Sequence, residues 1–132
     1  MFKDKNICGQ AEIYVDDKNR IILPMYTGAA AGEELVIVRN KESNCYDIYN
    51  AELYFEKLKH QINYLEAKLK TTIDLKKREK LQLLLNDIYS CNLGTVTCDK
   101  QRRVVITPIL EKDEKINKVK TIGAYDHLMI KK

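Results

Sequence analysis

The chain has 132 residues and 45% hydrophobic content, enough for one ordinary folded domain or two very small ones and too apolar for an intrinsically disordered protein. Lys and Arg number 23 against 19 Asp and Glu, a formal charge of +4 that permits a nucleic-acid partner without requiring one. No run approaches the roughly 18 apolar residues of a membrane span, and Met1-Phe2-Lys3-Asp4-Lys5 leads into no apolar signal core, so a cytoplasmic protein without a membrane partner is expected. Cys8, Cys45, Cys91 and Cys98 form no C-x-x-C pair, which points to free thiols rather than a disulfide framework or a zinc site.

In chain order the first signal is half of an internal repeat. Residues 11–24 read AEIYVDDKNRIILP and residues 94–108 read GTVTCDKQRRVVITP: an alternating segment, an Asp-x-x-x-Arg turn, a β-branched run, then Pro. The two charged turns are Asp16 to Arg20 and Asp99 to Arg103. Pro24 and Pro108 should close the second strand of each copy, because proline has no N–H for a ladder. After Pro24 comes the compact turn Gly28-Ala29-Ala30-Ala31-Gly32, while the stretch after Pro108, residues 109–113, suits a helical turn.

Each copy continues with two apolar strands. The first copy offers Leu35-Val36-Ile37-Val38 and Cys45-Tyr46-Asp47-Ile48-Tyr49; the second offers Lys118-Val119-Lys120-Thr121-Ile122, the turn Gly123-Ala124-Tyr125-Asp126, and His127-Leu128-Met129-Ile130. A unit of roughly 40 residues buries too little surface to stand alone, so the copies should share one core.

Between the copies the hydrophobic period changes to about 3.6. Leu58, Ile62, Leu65 and Leu69 predict an amphipathic helix capped by Asn50, with Glu52 in its first turn. Leu81, Leu84, Leu85 and Ile88 predict a second helix, capped by Thr72 or Asp74 and ended by Asn92 and Gly94. The run Lys76-Lys77-Arg78-Glu79-Lys80 reads as its solvated face. The repeats thus span about 8–50 and 94–131, with the helical pair at about 51–91.

The repeated turns carry the most chemistry. Aspartate at a turn start accepts backbone N–H bonds and fixes the turn, leaving arginine and lysine to present donors outward. Lys18, Arg20, Lys100, Arg102 and Arg103 would then form basic tips. Arginine's planar fork suits phosphate and guanine, and a two-stranded β-ribbon fits the major groove. The plain alternative is a pair of exposed ion pairs of small energetic weight. The tyrosines read as core and contact residues, with Tyr26 the best candidate for base stacking. His60 and His127 stand in no nucleophile elbow, phosphate loop or metal-spaced cluster, so an enzyme is not expected, although Cys45 and His127 could meet in space as a dyad.

VDDKNRIILP at 15–24, LQLLLNDIYSCN at 81–92, CDKQRRVVITPIL at 98–110 and IGAYDHLMI at 122–130 together resemble the MraZ transcriptional regulators, within the swapped-hairpin AbrB-like superfamily, over almost the whole chain. The resemblance implies a single α+β domain over residues 1–132. Two tandem repeats would form a swapped-hairpin β-barrel with a helical pair between them, and subunits would assemble into rings. It also implies a nucleoid-associated, cofactor-free regulator that binds double-stranded DNA at repeated elements upstream of a division and cell-wall operon. The DNA-facing positions would be Asp16, Lys18, Arg20, Asp99, Lys100, Arg102 and Arg103.

Two departures from the family pattern have physical consequences. The family writes glycine before the arginine, where this chain has Asn19 and Arg102; arginine adopts left-handed backbone at a cost of about 1–2 kcal/mol, so the second turn either strains or changes shape. Basic residues after each proline are replaced by Met25-Tyr26-Thr27 and by Leu110-Glu111, which removes phosphate contacts. Two other readings stay open: an AbrB-type antitoxin, and an assembly protein that keeps the fold without binding DNA.

Overall fold

A computed structural model describes residues 2–4 and 6–132; Met1 and Lys5, which belong to the segment read for a signal core, lie outside the described residues, as does the side chain of Lys3. The fold is α+β. Its elements are β1 (Gln10–Tyr14), β2 (Arg20–Ile22), β3 (Glu34–Asn40), β4 (Cys45–Asn50), α1 (Ala51–Thr71), α2 (Leu75–Cys91), β5 (Asn92–Thr97), β6 (Arg103–Val105), β7 (Lys118–Gly123) and β8 (Leu128–Lys131).

Four of the strand pairings cross between the copies, β1–β7, β2–β6, β3–β5 and β4–β8, while β3–β4 and β7–β8 pair within one copy. The larger sheet runs β1-β7-β8-β4-β3-β5, and β2 pairs with β6 as a separate two-stranded ribbon, all antiparallel. Exchanging each strand for its counterpart in the other copy reverses this order and returns it unchanged, so the sheet has the symmetry of the sequence repeat. In the ribbon Ile21 faces Val104, the residue that corresponds to it in the second copy. Each of these two is fully buried or nearly so.

The expected barrel is not closed. The ladder begins at edge strand β1 and ends at edge strand β5, with the β2–β6 ribbon outside it. What the arrangement does achieve is a common core: Ile21, Leu23, Leu35, Ile37 and Ile48 from one copy pack with Val104, Ile106, Leu128 and Ile130 from the other. Neither copy could bury these side chains alone.

Both helices start as their capping residues dictate. The Asn50 side chain accepts a hydrogen bond from Leu53 N, and that of Asp74 accepts from Lys76 N and Lys77 N, so Asp74 rather than Thr72 is the second cap. Arg78 Nη1 donates to the carbonyls of Leu69 and Thr72, satisfying the end of α1 from within the solvated basic run. The end of α2 falls at Asn92 as expected, but without a glycine cap. The helix passes straight into β5 at Asn92, and Gly94 lies inside that strand, because the chain enters sheet pairing with β3 before a glycine cap can form.

Ala51, Tyr54 and Leu58 of α1 pack on Val36, Val38 and Tyr49 of the sheet, and Leu85 is the buried residue of α2. Leu84, expected on the packed stripe, is half exposed. After each proline-bearing segment the chain makes a short 3-10 turn, Met25–Thr27 in the first copy and Thr107–Ile109 in the second. The second lies earlier than the expected 109–113 because Pro108 itself occupies the turn, at a position where its missing N–H costs nothing.

Candidate nucleic-acid interface

The two charged turns have the same construction. Asp16 Oδ1 accepts from Lys18 N (2.9 Å) and Arg20 N (2.8 Å), while Asp16 Oδ2 accepts from Arg20 Nε (2.8 Å). Asp99 Oδ1 accepts from Gln101 N and Arg103 N (both 2.8 Å), and its Oδ2 accepts from Arg103 Nε (2.7 Å). Backbone bonds close each turn in matching pairs, Asp16 N to Arg20 O with Asn19 N to Asp16 O, and Asp99 N to Arg103 O with Arg102 N to Asp99 O.

These bonds set the charge state. Partial burial pushes Asp16 up, but the N–H groups of Arg20 and Lys18 and the Arg20 guanidinium outweigh it and hold the carboxyl below its usual value. For Asp99 the Arg103 N–H is the largest influence, and the carboxyl is again held low against burial. A carboxyl lowered on folding adds stability above its unfolded pKa and loses it only as pH falls through the lowered folded value. Both turns are therefore locked across the whole neutral range.

The arginines are not free side chains, as the sequence reading had them. Each spends its Nε on the turn aspartate and is only partly exposed, which orients the guanidinium and leaves its two terminal nitrogens without a protein hydrogen bond among the described residues. A fork held in this way is pre-organised for a bidentate acceptor. Lys18 and Lys100 are exposed at the tips.

The second turn keeps the geometry of the first and bears strain to do so. Asn19 has φ 57° and Arg102 φ 60°, both left-handed. This conformation turns their carbonyls to the opposite copy: Asn19 O accepts from Ile106 N and Arg102 O accepts from Leu23 N, each at 2.8 Å. The turns are thereby fastened to both ends of the β2–β6 ribbon. Arg102 Nε also reaches Leu23 O at 3.3 Å.

Alternation along the ribbon produces one surface. Ile21 and Val104 point to the core, so Arg20, Ile22, Arg103 and Val105 point away from it. Register places Arg20 opposite Val105 and Ile22 opposite Arg103. The outer face is thus a small checkerboard of two locked arginines and two exposed β-branched side chains. Ile22 and Val105 were missed from the sequence, although Arg-Ile-Ile and Arg-Val-Val carry the signal, since a residue two beyond a strand arginine shares its face.

Other sequence candidates fall elsewhere. Tyr26 is half-buried, with its hydroxyl 3.1 Å from Thr121 Oγ1 and its ring against Gly9, so it is a packing residue and not a stacking platform. Cys45 and His127 do not form a dyad: Asp47 lies between them, accepting from Cys45 Sγ at 3.8 Å, with His127 Nε2 also 3.8 Å away. Burial and the Asp47 charge push the Cys45 thiol up, away from the thiolate. His127 Nδ1 lies 2.7 Å from Asp126, and its ring stacks on Tyr49. His60 is exposed on α1.

The Asp47 group gives a pH signature. Burial raises its carboxyl above the ordinary value, against His127 and the bonds from Asn40 and Cys45, while Asp126 raises it further. A carboxyl raised on folding adds stability below its unfolded pKa, about 3.9, and loses it as pH rises through the folded value. Relative to Asp47→Asn, the protein should therefore gain stability as pH falls from neutral toward about 4. Parallel thermal melts of the two proteins check this, and a pH-independent difference between them would contradict it.

Comparison with known proteins decides the family. The chain is 31% identical over 114 residues, covering 85% of its own length and 70% of the relative's, to the transcriptional regulator MraZ of Thermoanaerobacter sp. (strain X514). The chain belongs to the MraZ family. No protein-family model matches it. Within this MraZ-family chain, no helix of the described residues is long and apolar enough to cross a membrane.

Proposed function

We propose that this MraZ-family protein is a sequence-specific regulator of transcription that binds double-stranded DNA through the outer face of the β2–β6 ribbon and the two turns that flank it. The observation that carries this reading is the repeated locked arginine. Arg20 and Arg103 each present two terminal nitrogens that make no hydrogen bond among the described residues, on one outward face, held there by Asp16 and Asp99. Such a fork matches the paired acceptors on guanine, and the neighbouring Ile22 and Val105 suit thymine methyl groups. Lys100 and Arg102 would supply phosphate contacts around the ribbon, with Lys18, beside Asp17, a weaker contributor.

The interleaved strand pairing supports assigning the fold to the swapped-hairpin AbrB-like class, with residues 1–132 as one domain of two repeats. The reading extends to short repeated elements upstream of a division and cell-wall operon, and to a cytoplasmic, nucleoid-associated protein. Assembly into rings would let several modest contacts act together on adjacent elements through effective concentration. The exposed Leu83 and Leu84 of α2, and Ile73 in the connection between the helices, are available for such assembly.

The test is selection of sheared genomic DNA from the source organism by purified protein at low and physiological salt. Enrichment of one repeat-containing upstream region at both salts is the expected result. A folded protein that enriches nothing at either salt would overturn the proposal, and a protein copurifying in fixed ratio would favour an antitoxin.

A further inference from the structure

The pseudo-symmetric construction of the site hides a difference in charge between its ends. Turn 16–20 sets Asp16 and Asp17 against Lys18 and Arg20, for a formal charge of zero; turn 99–103 sets Asp99 alone against Lys100, Arg102 and Arg103, for +2. The surroundings widen the gap. Val15 N donates to Asn117 O, which brings loop 113–117 beside the first turn, and the groove of about 520 Å³ between them is lined by Asp16, Asp17, Asp113 and Glu114 with Lys115 as its cation. Glu114 is shared with Lys132, whose ammonium lies 3.0 Å away.

At the second turn the corresponding flank is residues 30–34. Gly32 N donates to Cys98 O and Cys98 N to Glu33 O, so this segment lies against the turn just as closely. Its chemistry is different: Ala30, Ala31 and Gly32 are neutral, and the Glu33 carboxylate faces inward, accepting from Phe2 N, Ala30 N and the Asn50 amide. Glu34 is the exposed carboxylate on this side.

The backbone adds an independent indication. Both turns need a left-handed residue at their fourth position; the first fills it with asparagine, which tolerates that conformation, and the second with arginine, which does not. The second turn thus holds a third cation at a position where the backbone disfavours it.

We infer that the two ends of the ribbon bind DNA unequally, the turn 99–103 anchoring the phosphate backbone through Lys100 and Arg102 while the turn 16–20, faced by carboxylates, adds little phosphate affinity. The protein therefore sits on its element in one orientation, despite the near-symmetry of its fold. This rests on the DNA-binding reading above.

The test compares Lys100→Gln/Arg102→Asn with Lys18→Gln and Asp17→Asn, titrating a labelled short mixed-sequence duplex from low to physiological salt, with thermal melts as the check on folding. The second-turn pair should weaken binding at least tenfold at low salt and flatten the log–log salt slope by close to ~0.9 for each cation lost. Lys18→Gln should change affinity less than threefold, and Asp17→Asn should tighten it. Equal losses at the two turns would overturn the inference and leave the DNA-binding reading standing. Absence of any salt-sensitive binding by the unaltered protein would overturn that reading, and this inference with it. Loss of folding in the double variant is resolved by Lys100→Gln alone, which leaves the strained position untouched and should by itself exceed the effect of Lys18→Gln.

Discussion

Replacing both Arg20 and Arg103 by lysine is expected to abolish sequence-selective DNA binding while leaving the thermal midpoint close to that of the unaltered protein. Each guanidinium performs two tasks at once: Nε holds the turn aspartate, at 2.8 Å and 2.7 Å, and the terminal nitrogens make no hydrogen bond among the described residues. Lysine has a single ammonium and must choose between them. Paired to Asp16 or Asp99 it keeps the turn closed, and Oδ1 of each aspartate still accepts its two backbone N–H bonds. The fork aimed at a base edge is gone. A bidentate arginine contact is worth about 1–3 kcal/mol of discrimination, so losing two should cost on the order of a hundredfold or more in selective affinity. Titration against a selected and an unrelated duplex separates this from a general loss of charge, because lysine preserves the charge. Undiminished selectivity in the double variant would show that the guanidinium forks do not read bases.

The second large effect concerns the core beneath the same face. Ile21→Ala is expected to destabilise the protein by about 2–5 kcal/mol and to weaken DNA binding as well. Ile21 is fully buried opposite Val104 in a ribbon of only three residue pairs, and it belongs to the cluster that both copies share. A cavity there removes support from the strand that carries Arg20 and Ile22 on its other side. Ile22→Ala, one residue along and half exposed, should leave stability nearly unchanged and affect only discrimination at thymine. Denaturant melts of both variants distinguish the two faces. Comparable destabilisation by both would mean that Ile22 is covered and that the ribbon does not present the outer face described above.

Much of this was legible in the sequence because duplication shows itself in residue order. The turns, the prolines, the strands after them and the two helices were placed by pattern, and the capping role of Asn50 followed from its position before an acid-bearing first turn. Which strands pair was not legible from the residues themselves. Nothing local in AEIYV or KVKTI says that β1 will pair with β7 of the other copy, since that choice is made by the shared core. The end of α2 at Asn92 was legible but its form was not: Asn92 and Gly94 have the local chemistry of a glycine-capped stop, and pairing with β3 takes them into a strand instead.

The two charged turns form where the sequence places them, but their arginines are bonded to the turn aspartates and are not free side chains. Asp-x-x-x-Arg gives the spacing at which an aspartate can meet both the backbone and the side chain of the arginine; the Nε contact itself depends on the arginine entering a strand at the turn's end. Tyr26 was misjudged because its neighbours in sequence, Met25 and Thr27, do not reveal that Gly9 leaves room for its ring. The strain at Arg102 was the most informative expectation. Of the two alternatives, a new turn shape or a strained one, the protein has the strained one, because its carbonyl is needed by Leu23 N across the repeat.

The most direct test of the central claim is amide hydrogen exchange on the protein with and without a selected duplex. Residues 16–22 and 99–105 are predicted to gain protection on DNA binding, with the exposed tip residue Lys100 among them and the helices α1 and α2 little changed. Protection confined to the helical pair, with both turns exchanging as in the free protein, would contradict the claim that the β2–β6 ribbon and its turns hold the DNA.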